Sequence, residues 1–260
     1  LEFRRVLFRS IYACRHCEKH ADDADAKVPI LKAAMPKPLL PGSLASASAI
    51  AYIIDQKYTN HLPLYRQEQI LSRLDINLSR QTMSNWIIRS VEAALDPIYE
   101  QMHRHLLKKT ILHADETTLQ VLKETDRSAQ SDSYMWLYRT GRDGPPIILY
   151  DYQTTRASKH PKQFLKGFSG YLQTDGYIGY DNLTSITQVG CWAHARRKFT
   201  DALKALPPEL KGKPVAASKG LEYCNTLFKI EQELKDATPE WRFEQRLLRS
   251  KPILDDFYSW

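Results

Sequence analysis

Between Lys109 and His194 two aspartates stand where a β-strand tolerates them least. Asp115 lies within Thr110-Ile-Leu-His-Ala-Asp115-Glu-Thr-Thr-Leu-Gln-Val-Leu122, and Asp175 within Tyr171-Leu-Gln-Thr-Asp175-Gly-Tyr177. Each sits inside or at the end of an apolar, β-branched or aromatic run of strand length that breaks just after it. A carboxylate flanked by strand residues loses hydration, a loss borne only at a strand edge, by neutralisation, or by binding a cation. Two such carboxylates brought together repel, and a hard divalent ion held through their oxygens relieves that repulsion. Metal-assisted phosphoryl transfer is therefore the chemistry to seek along the chain.

The surrounding pattern predicts an α/β domain. Strands are expected over Ile111–Leu122, Tyr134–Arg139, Ile147–Tyr152, Gly170–Asp175 and Ile186–Trp192, and helices over Lys159–Lys166, near Tyr180 and over His194–Leu206. A three-strand meander followed by strands alternating with helices makes a mixed sheet with helices packed on it. In the first strand, alternation sets Ile111, His113, Asp115 and Thr117 on one face and Leu112, Ala114, Glu116 and Thr118 on the other. Asp115 and Glu116 therefore cannot serve one site.

Upstream, residues 46–108 change to a helical period. Leu64 to Leu74 reads as a helix, Asp75-Ile-Asn-Leu78 as a turn, and Ser79 as the N-cap of a second helix. Arg80, Gln81, Asn85 and Arg89 fall on the polar side of that helix. This is either a helix-turn-helix, whose second helix offers side chains suited to base edges and phosphates, or a plain helical hairpin with a solvated face. A net charge of +7 and a pI near 9.1 favour a polyanionic partner. No apolar run approaches the roughly 18 residues of a membrane span.

Residues 1–45 carry a different signature. Leu1 to Ser10 has no signal-peptide layout and reads as an assembly scar. Cys14 and Cys17 have the spacing of half a zinc knuckle, with His16 and His20 as further ligands or the pair as an orphan half-site. Ala21 to Ser43 is a linker in composition. Four cysteines make no disulfide scaffold and fit a reducing cytoplasm. Residues 207–260 read as helical, with Cys224 in an apolar series as a small buried hydrophobe, and with a face available for a dimer.

Three ordered motifs, His113-Ala-Asp115-Glu-Thr117, Thr174-Asp175-Gly-Tyr177 and Cys191-Trp-Ala-His-Ala-Arg-Arg-Lys198, closely resemble the transposases of insertion sequence 66. The resemblance runs from about Tyr12 onward. It implies a ribonuclease-H-like catalytic core over residues 109–206, preceded by a helical DNA-binding region (46–108) and followed by a helical insertion (207–260). It further implies a DDE transposase that cleaves and joins DNA at insertion-sequence ends with Mg²⁺ or Mn²⁺. Asp115 and Asp175 match two of the family's three acids. No motif matches the third, and the chain is expected to stop before it, as it is expected to lack half of an amino-terminal Zn²⁺ module. Arg196, Arg197 and Lys198, opening a helix after a strand, are expected to meet the DNA backbone or to form a solvated face. His194 is expected to serve catalysis or a structural hydrogen bond. A homo-oligomeric synapse on DNA and a bacterial, nucleoid-associated location follow from the same resemblance. Two other readings remain open: a DNA-binding module for transposon ends without catalysis, and a ribonuclease-H-like nuclease.

Overall fold

The computed structural model describes residues 11–13, 30–32, 37–142, 144–210 and 212–260. Cys14 and Cys17, and with them the zinc reading, lie outside the described residues. The chain divides into two compact units, residues 1–101 and 102–260.

In the first unit, strands β1 (Ile11–Ala13) and β2 (Ile30–Lys32) pair antiparallel, Tyr12 opposite Leu31. The second of these strands falls inside the stretch read as linker, where composition does not reveal a pairing partner. Helices α1 (Ala47–Tyr58), α2 (Leu64–Ser72) and α3 (Arg80–Ser90) follow. Ser46 and Ser79 cap α1 and α3, their hydroxyls accepting from Ala49 N–H at 3.2 Å and Thr82 N–H at 3.1 Å. The turn between α2 and α3 closes because Asp75 adopts a left-handed φ of 57°. That lets Ile76 N–H reach Leu71 O at 3.0 Å and Asp75 N–H reach Ser72 O at 3.1 Å, satisfying carbonyls that the end of α2 leaves open. Ile53, Leu71, Met83 and Ile87 form the core of the three helices, with Ile76 and Leu78 of the turn packed against it. A π-helical turn, Val91–Leu95, continues into α4 (Asp96–Leu106), whose residues from Met102 onward belong to the second unit.

The second unit is built on five strands: β3 (Ile111–Gln120), β4 (Asp132–Thr140), β5 (Ile148–Gln153), β6 (Gly170–Thr174) and β7 (Ile186–Gly190). Their order is β5-β4-β3-β6-β7. The first three form the antiparallel meander, while β6 and β7 run parallel to β3, which makes the sheet mixed. One face is dry: Leu112 and Ala114, Trp136 and Tyr138, Leu149, and Leu172 pack beneath Leu165, Phe168, Tyr180 and Leu183. Those last residues come from the short helix α5 (Lys159–Phe164) with its following turn, and from the 3₁₀ turn Ile178–Tyr180 with the loop after it. On the opposite face Ile111, Ile148, Tyr171 and Val189 stay 37–52% exposed.

After the sheet, α6 (Trp192–Lys204), α7 (Ala216–Glu233), α8 (Pro239–Gln245) and α9 (Lys251–Ser259) follow, a π-helical turn joining the last two. Cys224 is fully buried in α7, the small hydrophobe its apolar series implied. Trp192 and Phe199 do not join the sheet core; Trp192 meets Phe257, and Phe199 meets Phe257 and Trp260, in an aromatic cluster with Tyr223. Among the described residues no helix is long and apolar enough to cross a membrane.

Candidate functional site

Strands β3 and β6 are in parallel register over Ile111–Tyr171, Leu112–Leu172 and His113–Gln173. Asp115 and Asp175 each lie two residues past the last of these pairs, on strands about 4.8 Å apart where they are paired. Asp115 lies within β3, whereas β6 closes at Thr174, one residue short of the expected strand end, so Asp175 opens the turn that follows. The register puts Asp115 on the exposed face with Ile111 and His113, while its neighbour Glu116 turns to the buried side.

Both aspartates are oriented locally. Asp115 Oδ1 accepts from Glu116 N–H at 3.0 Å, and Asp175 Oδ1 accepts from Tyr177 N–H at 2.9 Å in a tight turn. Gly176 makes that turn possible with a φ of 87°. His194, in the first turn of α6, places Nε2 3.7 Å from Asp115 Oδ2. Its Nδ1 is buried and has no partner among the described residues.

The chemistry of this pair suits a hard cation. Both aspartates are exposed, and both offer oxygen donors of the type that Mg²⁺ takes from one or two protein carboxylates while keeping several waters. Among the described residues no three His, Cys, Asp or Glu side chains gather into a set able to enclose a metal ion. Two carboxylates by themselves can supply only part of a cation's coordination shell.

A second constellation, centred on Glu116, lies on the opposite face of β3, and its partners were not visible in the sequence. Glu116 has a side chain only 1% exposed. Its Oε1 accepts from Arg156 Nε at 2.8 Å and Nη2 at 2.5 Å, and its Oε2 accepts from the Tyr180 hydroxyl at 2.5 Å. The Arg156 guanidinium in turn lies 3.6 Å from the centre of the Tyr177 ring, and the Tyr177 hydroxyl donates to Arg156 O at 2.7 Å. Burial opposes the charge on Arg156, yet the hydrogen bond and charge of Glu116, with Tyr177 and Asp175 adding to them, hold it above its ordinary value. Burial and the bond to Glu116 likewise push the Tyr180 phenol far above its usual range, so it stays a donor. The only sequence signal of this network is Glu116 at a core-facing strand position, where a carboxylate requires a partner.

The basic candidates are spread over separate elements. Arg196, Arg197 and Lys198 are all exposed on α6, but the Arg196 Nε is engaged with Asn225 Oδ1 of α7 at 2.7 Å. In the first unit Arg80, Gln81, Asn85 and Arg89 are exposed on α3, on the side away from buried Met83 and Ile87. Gln81 donates to Asn85 Oδ1 at 3.2 Å, Arg89 to Pro41 O at 3.2 Å, and the Arg80 backbone N–H to Glu68 Oε1 at 3.1 Å. The last of these bonds ties α3 to α2 across the hairpin.

Comparison with known proteins places this architecture. The chain is similar to two uncharacterized proteins of Sinorhizobium fredii: y4jD, at 31% identity over 98% of this chain and 49% of that protein, and y4hP, at 29% identity over 97% and 46%. It spans about half the length of the curated relatives it matches. A chain from the cryo-electron microscopy structure of the simian T-cell lymphotropic virus intasome with PP2A regulatory subunit B56 gamma aligns over 45% of this chain and 48% of its own. With a TM-score of 0.26 and 12% identity, that likeness is too slight to inform the fold. The model of the transposase IS66 family matches residues 42–260, which takes in the three-helix core, all five strands of the mixed sheet and every helix after them. The chain belongs to the IS66 family of transposases.

Proposed function

We propose that the chain contributes the catalytic core of a DNA transposase that cleaves insertion-sequence ends and transfers the freed strand to a target. The observation that carries this reading is the parallel pairing of β3 with β6, with exposed Asp115 two residues past the last pair on β3 and exposed Asp175 in the turn that immediately follows β6. Support comes from the sheet order, since a central strand with an antiparallel meander on one side and two parallel strands on the other suits a ribonuclease-H-like core. Asp115 and Asp175 would hold Mg²⁺ or Mn²⁺, which when bound supplies charge stabilisation to a phosphodiester under in-line attack. The protein's own part is to aim the two carboxylates at one point and to bind the DNA beside them. Arg197 and Lys198, exposed on the helix that carries His194, would take backbone phosphates, with Arg196 held toward α7. His194 would orient Asp115 or accept a proton near it. A homo-oligomer holding two DNA ends in a synapse, in the bacterial cytoplasm at the nucleoid, is part of the same proposal.

The hairpin of α2 and α3 favours a second component, recognition of DNA by Arg80, Gln81, Asn85 and Arg89 in a helix-turn-helix. The test is metal-dependent nicking of a labelled insertion-sequence end, together with DNA binding, for a chain extended to the length of its relatives and for its Asp115→Asn and Asp175→Asn variants. Nicking lost in both variants while binding persists is the expected result. Binding without nicking in the extended chain would leave a DNA-binding module alone, and nicking indifferent to end sequence would indicate a ribonuclease-H-like nuclease.

A further inference from the structure

The backbone ladder between β3 and β6 stops at His113 and Gln173, two residues short of the aspartates it is meant to align. Something else must hold the two chain ends together from there on. The turn after Asp175 reaches β3 by two side-chain routes, and both end on Glu116. Tyr180 donates directly to Glu116 Oε2. Tyr177, whose N–H holds the Asp175 carboxylate, is clamped through its ring and its hydroxyl by Arg156, and Arg156 forks onto Glu116 Oε1.

We infer that Glu116 and Arg156 form a positioning clamp: Glu116, next in the strand to Asp115, anchors the Tyr177 turn, so that the Asp175 carboxylate stays level with Asp115. Neither residue touches the cation or the DNA in this role. Glu116 is on the other side of the strand from Asp115, with both oxygens engaged by Arg156 and Tyr180, so it does not serve as a third acid beside Asp115. Three features match the role. The Glu116 side chain is shut off from water, so it has no other source of hydrogen bonds. A guanidinium donates two bonds in one plane while its face lies on an aromatic ring, a combination a lysine cannot copy. Both contacts of Tyr177 with Arg156 bear on the residue that also fixes Asp175.

The clamp rests on the metal-binding reading only for its consequence, not for its existence, so two measurements keep them apart. The first is amide hydrogen exchange in the ion-free chain. Glu116→Gln, Arg156→Lys and Arg156→Met are each expected to speed exchange at Tyr177 N–H by about tenfold or more, and to leave Leu172 N–H, inside the β6 ladder, unchanged. Equal exchange at Tyr177 in native and variant chains overturns the clamp; faster exchange at both amides reduces it to general destabilisation and overturns it as well. The second is Mn²⁺ binding followed by electron paramagnetic resonance. If the native chain binds Mn²⁺ and Asp115→Asn abolishes it, Arg156→Lys and Arg156→Met are expected to weaken binding about 10–100-fold, as supporting partners of metal ligands do. Native affinity in both Arg156 variants overturns the positioning role. A native chain that binds no Mn²⁺ removes the metal reading, while the exchange result still decides the clamp.

Discussion

Tyr180→Phe isolates one bond of the network under the two aspartates. Tyr180 is fully buried, and its ring packs edge-on against Trp136 at 5.7 Å and against Tyr177 at 6.2 Å. Phenylalanine keeps those ring contacts and deletes only the hydroxyl, which donates to Glu116 Oε2 at 2.5 Å. Glu116 then retains Arg156 on Oε1, and its second oxygen is left buried without a donor. A hydrogen bond to a charged group contributes about 1.5–3 kcal/mol, and a buried acceptor left unmet lies toward the upper part of that range. The expected loss is therefore about 2–3 kcal/mol, which corresponds to a fall in Tm of roughly 4–12 °C for a unit of this size. Urea unfolding followed by far-ultraviolet circular dichroism measures it. A double-mutant cycle with Glu116→Gln separates the pair from the hydroxyl's other surroundings and should return a coupling of at least about 1 kcal/mol. A loss below about 0.5 kcal/mol for Tyr180→Phe, or additive single effects, would refute the network as a stabilising unit.

Two further outcomes follow from the second unit. His160 is held below its ordinary pKa of 6.5 by burial and then by the Lys159 charge, against a smaller opposing effect of Asp151; burial and then Arg139 do the same to His113. The unfolded chain therefore takes up protons first, and this contribution to stability, complete above about pH 6.5, is lost as the pH falls from there through the lower folded values. Thermal melts between about pH 7.5 and 5.5 should give a falling Tm whose slope is shallower in His160→Gln; an unchanged slope contradicts the assignment. Gly170 opens β6 at a φ of 152°, and a Cβ there would lie 2.4 Å from Thr110 O just ahead of β3. Gly170→Ala should cost about 1–3 kcal/mol in chemical denaturation, because a backbone oxygen cannot move aside as a flexible side chain does; a neutral effect would show that the β3–β6 contact is looser than it stands.

Much of the fold was legible because local chemistry and period agreed. Ser46 and Ser79 precede apolar helical periods, and both became N-caps. Alternation along Ile111 to Thr118 separated Asp115 from Glu116, and the structure sends one to the exposed face and the other into the protein. Strand ends were less legible: β7 closes at Gly190, so Cys191 and Trp192 begin the next helix rather than finishing the strand. Which residues Trp192 and Phe199 pack against was not legible, because their partners, Tyr223, Phe257 and Trp260, lie far along the chain.

By itself the sequence determined which residues face together within each element, since the period of a strand or helix is a property of its backbone geometry. It also determined the family, through three motifs in order. Tertiary structure alone decided that Glu116 meets an arginine forty positions away and a tyrosine sixty-four away. A buried carboxylate announces that it requires donors, but many side chains can supply them, and only the folded path of the chain selects which ones arrive.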